Sequence, residues 1–366
     1  MSKEIQNKER IFGLDVVRTV AISMIVFSYA YFLIENTNPF ITSLTGLFGF
    51  AGIELFFVLS GFLIGTITLK MYLADSFNYN SIVTFLKRRW MRTLPNYYVV
   101  LMLNIILGIS FGYVLKDAWR YFFFLQNLTD YQITFFPESW SLSILGWAYL
   151  LTPFVFWLTY KISKNKKSGF LWTSVGLIFF FHLMRFWFYK SHFISDMIMW
   201  NDQVKSIVLY RIDSVLIGFV VAWLHYFYSD KLKNISVYLF ILALHLFFLQ
   251  FVALNVLSID IISSPKYFLV FYFTFSSVTF ALALPVFINW KSCNNWMAKL
   301  INWISKLSYG MYLVHFSLIT VLFKFLKENF LHGISSLLLL LIYLFLVTFV
   351  SYLLYHFVEK PIMDKR

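Results

Sequence analysis

Ten long runs of apolar residues alternate along the chain with short polar segments. The runs cover residues 14–34, 45–69, 95–115, 138–160, 168–189, 206–228, 235–257, 267–288, 307–327 and 334–357. A helix needs about 20 apolar residues to cross the hydrocarbon core of a bilayer, and each run has roughly that length. The pattern predicts an all-α polytopic membrane protein with about ten transmembrane helices.

The composition agrees with this prediction. The chain is 60% hydrophobic and only 13% charged, whereas soluble domains carry about 25% charged residues. A single cysteine, Cys293, excludes an intrachain disulfide and a cysteine-based metal site. We therefore expect a membrane protein without a metal centre.

The net charge of +13 is unevenly distributed between the two sides of the predicted bundle. Of the 30 lysines and arginines, 20 lie in segments on the same side as the N-terminus, seven on the other side and three within the runs. This asymmetry predicts cytoplasmic termini in a bacterial inner membrane, and the charge needs no nucleic-acid partner. We expect one domain over residues 1–366: a bundle at 14–357 between cytoplasmic tails at 1–13 and 358–366. Pro361 is expected to end the last helix.

The first run begins with two ionisable residues. Asp15 and Arg18 are three positions apart, so they share a helix face and can pair. Tyr29 follows Arg18 by eleven positions, roughly 16 Å further along a helix. Either the pair is only a neutralised contact at the membrane edge, or Arg18 lies at a water-filled mouth and Tyr29 near the middle of the bundle.

Other polar residues interrupt later runs. Glu54 lies in the second run, and an intramembrane carboxylate must face the bundle interior or be neutralised. Several glycines in this run, at spacings that allow close helix packing, are Gly46, Gly49, Gly52, Gly61 and Gly65. Arg211 and Asp213 are two positions apart, so they point to different sides of a helix and each needs a partner elsewhere. His315 lies in the ninth run, either as a hydrogen-bonded core residue or as a catalyst.

The densest basic cluster follows the second run. On a helix Arg88, Arg89 and Arg92 form one cationic face. Arginine binds phosphate oxygens with its planar fork, so the cluster suits a phosphate-bearing ligand. Anionic lipid headgroups are the alternative partner.

Seven segments, taken in order, resemble the type 3 membrane acyltransferases, polytopic bacterial enzymes that O-acylate cell-surface sugars. They are LDVVRTVAI, GIELFFVLSGFLIG, RRWMRTLPNYY, WSLSILGWAYLLTP, YRIDSVLIG, SYGMYLVH and VEKP, and they extend from Leu14 to Pro361. The resemblance implies transfer of an acyl group, most simply acetyl, from acetyl-CoA or another acyl-CoA to a hydroxyl of a cell-surface glycan or its lipid-linked precursor. It places CoA at Arg88, Arg89 and Arg92, and a reaction centre at Tyr29, Arg18, Glu54 and His315.

The chain departs from the family pattern at three positions. The family has its histidine base where this chain has Tyr29, and two glutamates where it has Leu145 and Gly146. A phenol with a pKa near 10 is a poor base at neutral pH, and loss of a general base typically costs about 10²–10⁴-fold in rate. We therefore expect slow or absent transfer with CoA binding retained.

Two other functions fit these features. A non-catalytic family member would bind acyl-CoA or glycan lipid as an accessory protein. A carrier would move acyl groups or lipid-linked sugars across the bilayer, which intramembrane charges equally permit. Transfer from acetyl-CoA separates the enzyme from both.

Overall fold

The computed structural model describes residues 10–30, 39–112, 115–131, 135–330 and 333–365, and these ranges contain helices and no strand. The principal helices are α1 Phe12–Ala30, α2 Pro39–Leu73, α3 Tyr79–Ser110, α4 Ser139–Ile162, α5 Lys166–Ser191, α6 Ile212–Phe227, α7 Ser229–Ala253, α8 Tyr267–Asn289, α9 Trp296–Asn329 and α10 Ser336–Asp364. In the described ranges, all but α6 are long and apolar enough to cross a membrane. They follow the ten predicted runs in order, so an all-α multi-pass membrane protein is confirmed.

The end of the chain differs from the prediction. Pro361 does not stop the last helix. Helix α10 continues through a π-helical turn at Tyr355–Glu359 into its final α-helical segment, Lys360–Asp364. Proline is tolerated in the first turn of a helix, where its missing N–H needs no partner. The predicted tail at 358–366 is thus helical through Asp364, while residues 1–9 of the other tail lie outside the described residues.

Helices α2 and α6 cross at a point where neither has room for a side chain. A Cβ atom built on Gly61 would lie 1.9 Å from the carbonyl oxygen of Val215, and one built on Gly218 would lie 2.3 Å from that of Val58. The close approach predicted from the glycines of the second run is confirmed at Gly61.

Buried ion pairs join these helices to their neighbours. Arg211, at the start of α6, pairs with Glu54 of α2, and its guanidinium carbon lies 3.9 Å from the centre of the Phe273 ring. Asp213 pairs with Arg185 of α5 at 2.8 Å. The prediction that Arg211 and Asp213 have separate partners is confirmed.

Candidate functional site

A cavity of about 160 Å³ lies among α1, α2, α3, α4 and α9. Its polar wall is formed by Arg18, Ser60, Arg89, Arg92, Thr93, Ser141, Tyr149, Ser308, Tyr309 and Tyr312. Its apolar wall is formed by Ile53, Phe56, Phe57, Leu59, Leu63, Ile64, Trp90, Leu94, Phe124, Leu142 and Leu145, with Gly146 beside them. Three arginines and seven hydroxyl-bearing side chains therefore line one cavity.

We call the part of the cavity wall formed by Arg18, Arg89 and Arg92 the basic end. Helix α3 begins ten residues before Arg89, where the Asn78 side chain accepts a hydrogen bond of 3.0 Å from the Ser81 N–H, an N-cap that satisfies one free donor of the first turn. Arg89 and Arg92 follow on this helix and reach the wall. Arg88 is exposed and is not part of the wall.

Arg18 reaches the same end from α1. Asp15 accepts a hydrogen bond from it at 3.0 Å, which confirms the predicted pair. The same carboxylate also accepts bonds from Arg10 and from the Ser305 hydroxyl at 2.7 Å. Asp15 therefore holds Arg18 in place while the Arg18 guanidinium still faces the cavity.

A short hydrogen-bond chain holds the part of the wall formed by Ser141 and Tyr312. The Tyr312 hydroxyl donates to the carbonyl oxygen of Glu138 at 2.9 Å and lies 2.6 Å from the Ser141 hydroxyl. A phenol has one proton, so Ser141 is the donor in the second bond. Ser141 and Tyr312 line the cavity, and this chain connects the cavity wall to the residues behind it.

His315 lies directly behind Tyr312, with ring centres 5.4 Å apart. Its Nδ1 atom lies 2.7 Å from the carbonyl oxygen of Tyr312. A carbonyl can only accept, so Nδ1 carries the proton and Nε2 keeps a lone pair. Nε2 is buried and has no hydrogen-bond partner among the described residues.

Tyr29 packs against this histidine. The two rings meet edge to face with centres 4.9 Å apart, and the Tyr29 ring also lies 4.5 Å from that of Phe316. The sequence left open whether the ninth run packs beside the first, and the structure shows that it does. Tyr29 and His315 are not themselves part of the cavity wall.

Glu138, at the head of α4, completes this group. One carboxylate oxygen accepts bonds from the N–H and the hydroxyl of Ser317, at 3.0 and 2.6 Å. The other oxygen is buried without a hydrogen-bond partner in the described ranges. A carboxylate at the head of an apolar run was the available sequence signal, but nothing in the sequence joined it to α9.

Leu145 and Gly146 lie in the cavity wall, so the carboxylates missing from the family pattern are missing from the cavity itself. The Phe124 ring fills the space beside Gly146, where an added Cβ would lie 3.3 Å from it. Phe124 is held by a 2.9 Å hydrogen bond from the Trp147 ring N–H to its carbonyl oxygen. Its backbone has a positive φ of 57°, a conformation uncommon for a residue with a side chain.

Glu54 lies away from the cavity wall. Arg211 occupies one of its carboxylate oxygens, and the hydroxyls of Ser277 and Ser214 donate to the other at 3.0 and 3.3 Å. With both oxygens in use, Glu54 joins α2, α6 and α8 and has little capacity left for a substrate.

Comparison with known proteins gives the family. A model described as an acyltransferase domain, of type 3, matches residues 11–356. The chain belongs to the type 3 acyltransferase family. It is 27% identical over 372 residues to a Staphylococcus aureus strain COL protein named "Putative O-acetyltransferase", covering 95% of this chain and 56% of that protein. It is 24% identical over 344 residues to O-acetyltransferase OatA of Staphylococcus aureus strain NCTC 8325, covering 87% and 53%.

This type 3 acyltransferase thus spans about half the length of the curated relatives it matches. No solved structure matches it significantly. Of the site residues expected from the sequence, Arg18, Arg89 and Arg92 line the basic end of the cavity. Tyr29 contacts His315 behind Tyr312. Residues of the group that sequence reasoning missed are Glu138, Ser141, Tyr312 and Ser317.

Proposed function

We propose that this chain transfers an acyl group, acetyl by its family resemblance, from acyl-CoA to a hydroxyl of a cell-surface glycan or its lipid-linked precursor. One observation carries the proposal: a single cavity is lined both by three arginines and by hydroxyl groups. The arginines suit a phosphorylated donor. The hydroxyl groups suit an acceptor that carries a hydroxyl.

The donor would enter at the basic end. CoA carries several phosphate groups, and Arg89 and Arg92 offer planar forks that bind phosphate oxygens in pairs. Arg18 adds a third guanidinium whose position is fixed by Asp15. The thioester would then extend along the apolar wall toward Ser141 and Tyr312.

The proposal implies an orientation. Acyl-CoA is a cytoplasmic metabolite, so the basic end would face the cytoplasm of a bacterial inner membrane, as the distribution of lysines and arginines also predicts. The acceptor would come from the opposite side. Membrane lipids surround the bundle, and neither a metal nor a nucleic acid has a part in the proposal.

A non-catalytic acyl-CoA binder is the second candidate function. The observation that favours it is the apolar wall at Leu145 and Gly146, where the family pattern has carboxylates. Such a protein would bind CoA normally but would neither release free CoA from acetyl-CoA nor form an ester.

The test uses the full chain purified in detergent, with acetyl-CoA as donor and a panel of methyl glycosides as acceptors. Free CoA thiol and glycoside ester are measured together. Replacing both Arg89 and Arg92 by Lys keeps the charge but removes the forks, and we expect CoA affinity to fall about tenfold or more. Arg88→Lys, outside the wall, is the matched control and should leave the affinity unchanged.

Unchanged CoA affinity in the double variant would refute the donor site and favour lipid headgroups as the partner of the arginines. Normal CoA binding without ester formation by the unmodified chain would favour the non-catalytic binder.

A further inference from the structure

Two polar atoms behind the cavity are buried without a hydrogen-bond partner among the described residues: His315 Nε2 and one carboxylate oxygen of Glu138. Buried polar atoms are nearly always paired, because an unpaired one costs roughly 1–3 kcal/mol. Both residues contact Tyr312, so a polar group that bound beside this tyrosine would find an unpaired acceptor there.

The backbone around His315 is shaped to hold it. A π-helical turn, His315–Thr320, interrupts α9 at this residue, and such turns frequently occur at functional sites. The carbonyl oxygen of His315 accepts bonds from the hydroxyls of Thr320 at 2.7 Å and Tyr343 at 3.2 Å. With Nδ1 bound to the Tyr312 carbonyl as well, both the ring and its backbone are fixed.

This geometry is that of a general base. The protonated Nδ1 is oriented by an acceptor, and Nε2 offers a lone pair. An imidazole with an ordinary pKa near 6.5 removes a proton at neutral pH far better than a phenol does. The Tyr29 ring, where the family has its histidine, touches the imidazole directly. The base would therefore have moved from α1 to the adjacent position on α9.

Glu138 is an acidic residue held by the segment that carries this base. Ser317, which holds its carboxylate, lies two residues after His315 on α9, so the carboxylate lies beside the segment that carries the imidazole. An imidazolium formed in a low-dielectric interior is stabilised by a nearby carboxylate. Glu138 also orients Tyr312, whose hydroxyl donates to the Glu138 carbonyl.

We propose that His315 is the general base of this chain, with Glu138 as its positioning and charge-balancing residue, and that the two replace the missing first-helix histidine. The proposal rests on the proposed function. Because His315 lies behind the cavity wall, the acceptor has to enter beside Tyr312. Its hydroxyl then gives its proton to Nε2 as its oxygen bonds to the thioester carbonyl carbon. The carbon–sulfur bond then breaks, and the thiolate takes the proton from the imidazolium, giving the ester and free CoA.

The first test compares His315→Gln and Glu138→Gln with the unmodified chain in the transfer assay. In Glu138→Gln the new amide oxygen can still accept from Ser317, so that contact is kept while the charge is removed. We expect kcat to fall about 10²–10⁴-fold for His315→Gln and by a smaller factor for Glu138→Gln, with the KM for acetyl-CoA unchanged. His245→Gln is the matched control: His245 also contacts a backbone carbonyl through Nδ1, at 2.8 Å, but on an exposed face.

Chemical rescue separates a base from a structural residue. In the His315→Ala variant, added imidazole should restore transfer. Pyrazole has the same shape and is a much weaker base, so it should restore none. Equal rescue by both molecules would show that His315 only fills space, and would overturn the proposal.

The remaining outcomes separate the assignment of His315 as the base from the proposed transfer activity. Transfer by His315→Gln at the rate of the unmodified chain would refute the base but leave the proposed function standing. A falling CoA affinity in place of a falling kcat would also refute it, because it would place His315 in donor binding. No transfer by the unmodified chain would overturn both the base and the proposed function.

Discussion

Removing Glu54 should destabilise the bundle because it leaves Arg211 as an uncompensated charge. Both residues are fully buried, and Glu54→Ala also leaves the Ser277 and Ser214 hydroxyls without their acceptor. Breaking a buried pair from one side typically costs about 3–5 kcal/mol. We expect the melting temperature of the purified protein, followed by tryptophan fluorescence, to fall by several degrees.

Two controls make this measurement decisive. Glu54→Leu combined with Arg211→Met removes both charges and should recover most of the loss, since hydrophobic replacement of a whole buried pair is often neutral. Asp117→Asn removes a partner of Arg120 in an exposed pair at 3.6 Å and should have almost no effect. A Glu54→Ala variant that melts like the unmodified chain would refute the reasoning. A double variant that is stable but inactive would restore Glu54 to the reaction centre.

Two further predictions concern topology and the cavity. Reporter fusions at Lys166 and Ser258 should lie in opposite compartments, with Lys166 cytoplasmic, and a shared compartment would refute the proposed orientation. Gly146→Glu should lower the melting temperature, because the Phe124 ring lies 3.3 Å from the position of the new Cβ. Adding Phe124→Ala should recover part of that loss, and no recovery would show that Phe124 is not the obstacle.

The helices could be predicted because lipid imposes a simple rule on sequence. A backbone in hydrocarbon must satisfy its own hydrogen bonds, so each crossing appears as one long apolar run. The pairing of Arg211 and Asp213 with separate partners followed from their spacing on one helix. The tight crossing at Gly61 was visible in the same way, since small residues mark close helix contacts.

The helix irregularities could not be predicted, because they depend on tertiary contacts. Nothing local marks the π-helical turn at His315, whose carbonyl accepts a hydrogen bond from Tyr343 of another helix. Pro361 gave a misleading signal for a similar reason: it lies in the first turn of a new helix, and a run read from sequence does not show where one helix passes into the next.

The predicted loss of catalytic power stays a prediction, because a linear pattern alone cannot decide it. That prediction counted missing groups at positions 29, 145 and 146, which are fixed points of a linear pattern. Catalysis depends on where a lone pair and a charge lie in space, and contacts between distant segments decide that. Glu138 and Ser317 are 179 residues apart in the chain yet share two hydrogen bonds, and the Tyr29 ring meets an imidazole from another helix. If His315 acts as the base, a site that has lost a residue on one helix recovers its chemistry from the helix packed against it, and the residue at the original position gives no sign of the change.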